Sequence, residues 1–442
     1  MTSIPSYSMA RRAVSIEEPC PSSATHFGVS LAALGCVLAA VAALRRWPAD
    51  TSTRVGILLL AAALPIGIGE LAILKVHRRA STGLDWSKGF QFDAARTLTK
   101  VLGLAVTLGA IGLAYWVFPE YHGSFYEPFF GPLRRYAVPL AAFAIVYISL
   151  VDGLMREPRD IYWQLGRAAL GKFTDLHRAD LANHARGWLV KAFFLPLMVV
   201  YVHGSAGRVL DFSLDGATWA NLRLYDFLYD GAFLVDLTFT VIGYSLSFRL
   251  ADAHVRSAEP TMLGWAAALF CYQPFYSLWE KQYVPYAGPG FGAVLAEWPT
   301  LRALWAGVII ALVVAYALTT ITFGWRFSNL THRGILTNGP FRFTKHPAYL
   351  SKNVSWWMAS MPFALAGSPQ EALRHSLMLL CINAIYFLRA RTEERHLSRD
   401  PRYVAYALWI NEHGAFRALG RWLPFLRYRA PSPHRQELPA RS

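Results

Sequence analysis

"ALWAGVIIALVVAYALTTITFG", residues 303–324, runs for 22 positions without one charged side chain. About 20 such residues in a helix cross the roughly 30 Å hydrocarbon core of a bilayer. A helix in a soluble core seldom stays apolar on every face for that length. Similar runs recur outward from this one, at approximately 27–44, 55–74, 101–118, 136–153, 187–203, 225–248, 262–280, 354–367 and 373–388. The ten spans predict an all-α fold, a polytopic transmembrane helix bundle, with the short ninth run a tilted or partial crossing. Composition agrees, since 54% of the 442 residues are hydrophobic and 16% charged, against about 25% charged in soluble domains. Aromatic residues at the run ends, such as Tyr115, Trp116, Tyr201, Tyr244, Trp279, Trp356 and Trp357, read as interfacial belts.

The net charge of +15 lies between the apolar runs rather than on one domain, so it points to the positive-inside rule and not to nucleic acid. With the N-terminus cytosolic, the basic connections fall on the cytosolic side. The loops 75–100 and 154–186 carry six Lys and Arg each, and the 325–353 loop and the C-terminal tail join them. The polar stretch 1–26, with Arg11 and Arg12, lacks the apolar segment and cleavage site of a signal peptide and reads as a cytosolic tail. Cys20, Cys36, Cys271 and Cys381 show no CxxC spacing and read as small core residues rather than disulfides or metal ligands. His177 and His184 have no ligand spacing either, so no metal site is expected. The sequons at Asn329 and Asn353 fall on the expected cytosolic side and read as chance.

Two stretches do not look like span or belt. In "GPFRFTKHPAYL", residues 339–350, Gly339-Pro340 marks a turn. Pro347 disfavours helix at His346 yet suits the first position of a following helix. His346 then sits at the N-cap, beside unpaired N–H groups that attract a carboxylate; a basic loop gripping anionic lipid headgroups is the plainer alternative. In "RARTEE", residues 389–394, Arg389 and Glu393 share a helix face at i and i+4, with Glu394 adjacent. A solvated, salt-bridged helix end would look the same.

Together, "RGILTNGPFRFTKHPAYLSKNVSWW" (333–357) and "RARTEERHLSRDPRYVAY" (389–406) resemble the isoprenylcysteine carboxyl methyltransferases and their phospholipid-methyltransferase relatives. The resemblance covers about residues 325–410. It implies an S-adenosyl-L-methionine-dependent membrane methyltransferase with a C-terminal catalytic hairpin, acting on a lipidic or isoprenoid acceptor. His346, Pro347, Ala348 and Tyr349 take the place of the family's donor-binding tetrapeptide, and Arg333, Gly334, Ile335 and Leu336 match the stretch before it. Phe341 stands where a tyrosine is usual and so lacks a hydroxyl. Glu393, with Glu394 beside it, matches the acid that holds the donor's amino acid moiety, and Arg389 the arginine that faces the acceptor. Lys345 replaces the motif arginine, which keeps the charge and loses the bidentate fork.

The chemistry is consistent. An acid pair near the ammonium and a helix start near the carboxylate would sort the donor's charges. A carboxylate acceptor is already ionised and needs no base, whereas an amine or thiol would need one, with His346 the nearby candidate. Glu70, Lys191, Asp226, Asp230 and Asp236 lie in or at the edges of spans and are candidates for a substrate or proton role, or for structural pairing. The chain divides into a tail (1–26), a multi-span region without recognisable role (27–300), a methyltransferase-like membrane domain (301–429) and a disordered end (430–442). Ala- and Arg-rich usage points to a bacterial inner membrane. Two readings compete: a sterol-reductase-like NADPH oxidoreductase with a similar hairpin, and a non-catalytic transporter or lipid-binding protein built on the first eight spans.

Overall fold

A computed structural model describes residues 19–365 and 367–431; residues 1–18 of the expected N-terminal tail and 432–442 of the expected disordered end lie outside them. Two antiparallel helices, α1 (Phe27–Leu44) and α2 (Thr51–Ile68), open the chain. Asp50 starts α2 by accepting the Thr53 N–H at 3.0 Å, the usual side-chain answer to an orphaned helix-start donor. Then come α3 (Ala94–Val117), the short α4 (Glu127–Arg135) and α5 (Ala137–Leu154). The short α6 (Ile161–Ala169) precedes α7 (Arg178–Leu210) and α8 (Arg223–Ser245). Three brief helices follow, α9 (Met262–Leu269), α10 (Phe275–Tyr283) and α11 (Phe291–Val294), before α12 (Pro299–Thr322). The chain closes with α13 (Pro347–Ser360), α14 (Pro369–Leu397), α15 (Pro401–His413) and α16 (Arg417–Trp422). One two-residue ladder, Ser257–Ala258 against Thr331–His332, is the strand pair among the described residues.

The fold is an all-α polytopic bundle, in which eight helices among the described residues are long and apolar enough to cross a bilayer. Eight of the ten expected runs thus become single long helices, and two do not. The 262–280 run breaks between α9 and α10, where Pro274 brings no N–H to continue a hydrogen-bond ladder. The ninth run is α13, whose 14 residues span about 21 Å at 1.5 Å per residue. It stops at Met361, which takes a left-handed φ of 42° just before Pro362. The α9–α10 segment still travels the height of α13. Glu259 lines the same cleft as His346, while the Gly290 N–H donates to Ser360 O at the far end of α13, at 3.2 Å.

Alternate connections interlock at one end of the bundle. The Ala24 N–H donates to Ile335 O at 2.8 Å, Arg79 Nη1 to Ala24 O at 2.7 Å, and Arg249 Nη1 to Thr82 O at 2.9 Å. Asn183 Oδ1 accepts the Ala258 N–H at 2.9 Å, and Leu84 bridges to Met155. The basic loops 75–100, 154–186 and 325–353 therefore share a single end, as the alternation of spans requires. Buried charges there are paired. Arg326 meets Glu70 at 2.5 Å with both side chains almost wholly enclosed, and Lys100 lies 2.9 Å from Asp152 and 3.3 Å from Asp160. Among the other charges in spans, Asp230 pairs with Arg208 at 3.2 Å. Asp236 accepts from Thr320 Oγ1 at 2.5 Å, and Lys191 lies over the Trp188 ring at 5.2 Å. The main core packs α1, α2, α7 and α8 through Leu58, Phe194, Leu197, Leu234, Phe239 and Tyr244. Gly103 and Gly166 let α3 and α6 touch: a Cβ on either would stand 1.9 Å from a backbone oxygen of the other helix.

Candidate active site

The loop before α13 forms one tight turn, Gly339–Arg342, and then His346 takes the N-cap with φ −129° and ψ 58°. Pro347 follows at the first helical position, where its missing N–H costs nothing. The start of α13 thus faces the last turns of α14, which carry "RARTEE". His346 Nε2 lies 3.1 Å from Glu394 Oε1, across 48 residues of sequence. Lys345 Nζ reaches the same oxygen at 2.5 Å, and Arg391 Nη1 the other at 2.9 Å. One carboxylate with three cationic neighbours fixes the loop to the helix. Burial pushes the Lys345 amine below its usual range, and the Glu394 charge opposes that shift.

The neighbouring acid is placed differently. Glu393 Oε2 accepts from Tyr349 OH at 2.7 Å, and the Tyr349 ring stacks on the His346 ring at 5.5 Å. Among the described residues Glu393 Oε1 has no hydrogen-bond partner, and Glu393 lines a cleft with about 1170 Å³ of atom-free space, part of it open to solvent. That is comparable with the upper end, roughly 1,000 Å³, of small-molecule sites. Deeper in the cleft sits Arg389, 8% exposed. Its Nη2 donates to Asn329 Oδ1 at 2.5 Å, its one hydrogen bond among the described residues. Asn329 in turn donates from Nδ2 to Tyr244 OH at 2.8 Å and Tyr272 OH at 3.0 Å. The guanidinium also lies over the rings of Tyr349 (5.2 Å), Tyr272 (5.5 Å) and Tyr386 (6.0 Å). Such a cation is oriented and largely dehydrated, with its remaining N–H groups uncommitted.

Residues 302–399 match the isoprenylcysteine carboxyl methyltransferase (ICMT) family. No curated protein and no solved structure matches the chain. At family level the match puts membrane methyltransferase chemistry on α12–α14, the helices that carry the cleft.

Within this ICMT region the residues singled out from sequence separate into groups. Arg333, Gly334, Phe341, His346, Pro347, Ala348, Tyr349, Arg389 and Glu393 line the cleft, whereas Ile335, Leu336 and Glu394 do not. Ile335 packs instead with Tyr403, Tyr406 and Tyr428, Leu336 is buried, and Glu394 is the clamp described above. Arg333 spends its guanidinium on backbone: Nε donates to Ala253 O at 2.7 Å, Nη1 to Gly243 O at 2.6 Å and Nη2 to Leu246 O at 2.8 Å. It ties the loop to the end of α8. Gly334 has φ +123°, and a Cβ there would lie 2.7 Å from Ala24, so only glycine fits both the backbone and the gap. Tyr406 OH holds the loop through Phe341 O at 2.7 Å.

Several lining residues carry no signal in the two motifs: Tyr316, Asn329, Lys352 and Tyr386 of the ICMT region, and Glu259 and Tyr272 from the region before it. Asn329 is visible in sequence only as a sequon, and the tyrosines only as aromatic punctuation of apolar runs. The preceding region therefore contributes a wall of the cleft.

Proposed function

We propose that this chain is an integral-membrane methyltransferase that moves a methyl group from S-adenosylmethionine to a lipidic, anionic acceptor. The observation that carries the reading is the meeting of the two motif segments around one cleft, His346 against Glu394 and Tyr349 against Glu393, with Arg389 held beneath them. The side chains fit such a donor. Glu393 keeps one carboxylate oxygen for an ammonium, and the start of α13 offers backbone N–H groups to a carboxylate. Tyr272, Tyr349 and Phe341 present aromatic faces to a cationic centre.

When bound, S-adenosylmethionine supplies a methyl group on a sulfonium, open to direct displacement. Tyr349 fixes Glu393, and Glu393 fixes the amino acid end. Asn329 fixes Arg389, and Arg389 turns an acceptor carboxylate so that one oxygen is held and the other left free. The tyrosine rings keep water out, which strengthens each of these charge contacts. No side chain has to take a proton when the acceptor is already ionised. With the basic end of the bundle in the cytosol by the positive-inside rule, the cleft opens to the cytosolic donor, and a bacterial inner membrane is the setting this arrangement suits.

Purified full-length protein should gain thermal stability with S-adenosylhomocysteine and not with NADPH. Membranes given methyl-labelled donor should then carry label in extracted lipid. E393Q should weaken S-adenosylhomocysteine binding by about tenfold or more, in line with roughly 1.5–3 kcal/mol for a hydrogen bond to a charged group. Stabilisation by NADPH alone would replace this reading with a reductase, and an unchanged E393Q would remove Glu393 from the donor site.

A further inference from the structure

Arg389 is not the one cation in the inner cleft. Lys352, on α13 one turn beyond Tyr349, also lines it. Its Nζ lies 5.1 Å from the centre of the Trp356 ring, 5.5 Å from Tyr316 and 5.8 Å from Tyr386. Among the described residues no carboxylate comes within 4.0 Å of Lys352 or of Arg389. Glu393, one turn from Arg389, is engaged by Tyr349, and Asp236 by Thr320. Tyr386 is common to both cations, within 6.0 Å of each. Two like charges therefore share one aromatic wall at membrane depth, where an unneutralised charge is costly. Asn329 holds the guanidinium in place, so the pair cannot relax by Arg389 turning away.

We infer that Lys352 is a specificity-determining residue of the acceptor site, and that the acceptor's head carries two negative groups, one for each cation. The count follows from the reaction. A carboxylate that attacks a methyl group needs one oxygen free, and Arg389 takes the other. Nothing of that group is left for Lys352, so its partner is a second anion on the same head. On transfer the O–CH₃ bond forms as the methyl–sulfur bond breaks and its electron pair stays on sulfur. The acceptor then loses the charge facing Arg389 and keeps the one facing Lys352. This inference rests on the proposed transferase reading for the role of Arg389, but its test needs no turnover.

The full chain in lipid nanodiscs is titrated at pH 8 with dodecylsuccinate, a dianion, and with dodecanoate, a monoanion on a similar tail. S-adenosylhomocysteine binding is measured in parallel. Wild type should bind dodecylsuccinate at least tenfold more tightly than dodecanoate. K352M should bring the two within about twofold, K352R should keep most of the preference, and S-adenosylhomocysteine affinity should stay constant. Equal binding of the two probes by wild type, or a preference that survives in K352M, overturns the inference. So does a K352M whose only defect is a loss of stability suppressed by D236N, which would make Lys352 the counter-charge of Asp236. Should K352M not fold, the wild-type preference and K352Q decide by the same criteria. Loss of S-adenosylhomocysteine binding by wild type would instead sink the transferase reading and leave the anion preference standing as a separate measurement.

Discussion

Asn329 shows how little of a site a motif has to contain. It neither titrates nor lies within the two quoted segments' chemistry, yet it joins Arg389 to Tyr244 and Tyr272. A guanidinium restrained by one hydrogen bond has wide freedom without it. N329A should therefore lower kcat about tenfold while leaving S-adenosylhomocysteine affinity within about twofold, measured on purified enzyme, since small losses of alignment reach the rate before they reach binding. An equal loss in both would make Asn329 part of the donor pocket. The charged members of the site were legible because ionisable residues at a membrane edge demand a reason. The tyrosines were not, because aromatic residues at span ends already have one, and Lys352 was hidden at the mouth of an apolar run. Glu393 and Glu394 look equivalent in sequence. Only folding separates them, one oxygen left open on the first and three cations gathered on the second.

At the scale of helices, the long apolar runs translate directly because lipid leaves the backbone no partner but itself. Where that translation fails, a local residue competes with hydropathy. Pro274 splits one run, and Met361 followed by Pro362 ends another. The break between α9 and α10 has a use, since it places Tyr272 against Asn329 and Arg389. Contact between α3 and α6 depends instead on missing side chains. G103A puts a methyl where the Tyr162 carbonyl oxygen stands, and should cost about 1–3 kcal/mol, seen as a lower unfolding temperature in detergent. A companion G109A, at a position with open space around it, should leave that temperature unchanged. Such close glycine approaches are typical of helix packing in membranes, but no pattern in one sequence marks which glycines make them.

Across the whole molecule, the basic end is a layer of interlocked loops with its own response to pH. Burial, with Arg249 and Arg256 nearby, pushes His254 down to about 3. Burial pushes His332 down to about 4, although Asp400 at 3.3 Å pulls the other way. Both stay neutral in the folded protein where the unfolded chain, near 6.5, already binds protons. The unfolded state then binds more protons between pH 6.5 and about 4, so stability rises with pH across that window and levels off above it. Unfolding temperature should thus be flat from pH 8 to 7 and fall steadily below 6.5, and H254N should shrink the fall. Orientation is a second property at this scale. Alkaline phosphatase fused after Asp215, in the connection at the opposite end, should be active in bacterial cells, and fused after Asp175 it should be inactive. The reverse pattern would place the cleft outside the cytosol. The loops' charges could be counted in sequence; their mutual hydrogen bonds, such as Ala24 to Ile335, join positions too distant for any local reading.

The wall that Tyr272 and Glu259 build has a practical corollary for anyone dissecting this polypeptide. An excised 302–399 fragment would carry the family's signature residues with one side of their chamber removed, and Asn329 stripped of both its phenolic anchors. The same segment transplanted behind a foreign set of helices would inherit that deficit. Inactivity of such a fragment would report on missing masonry, and only a restored partner in trans could show whether the chemistry had survived.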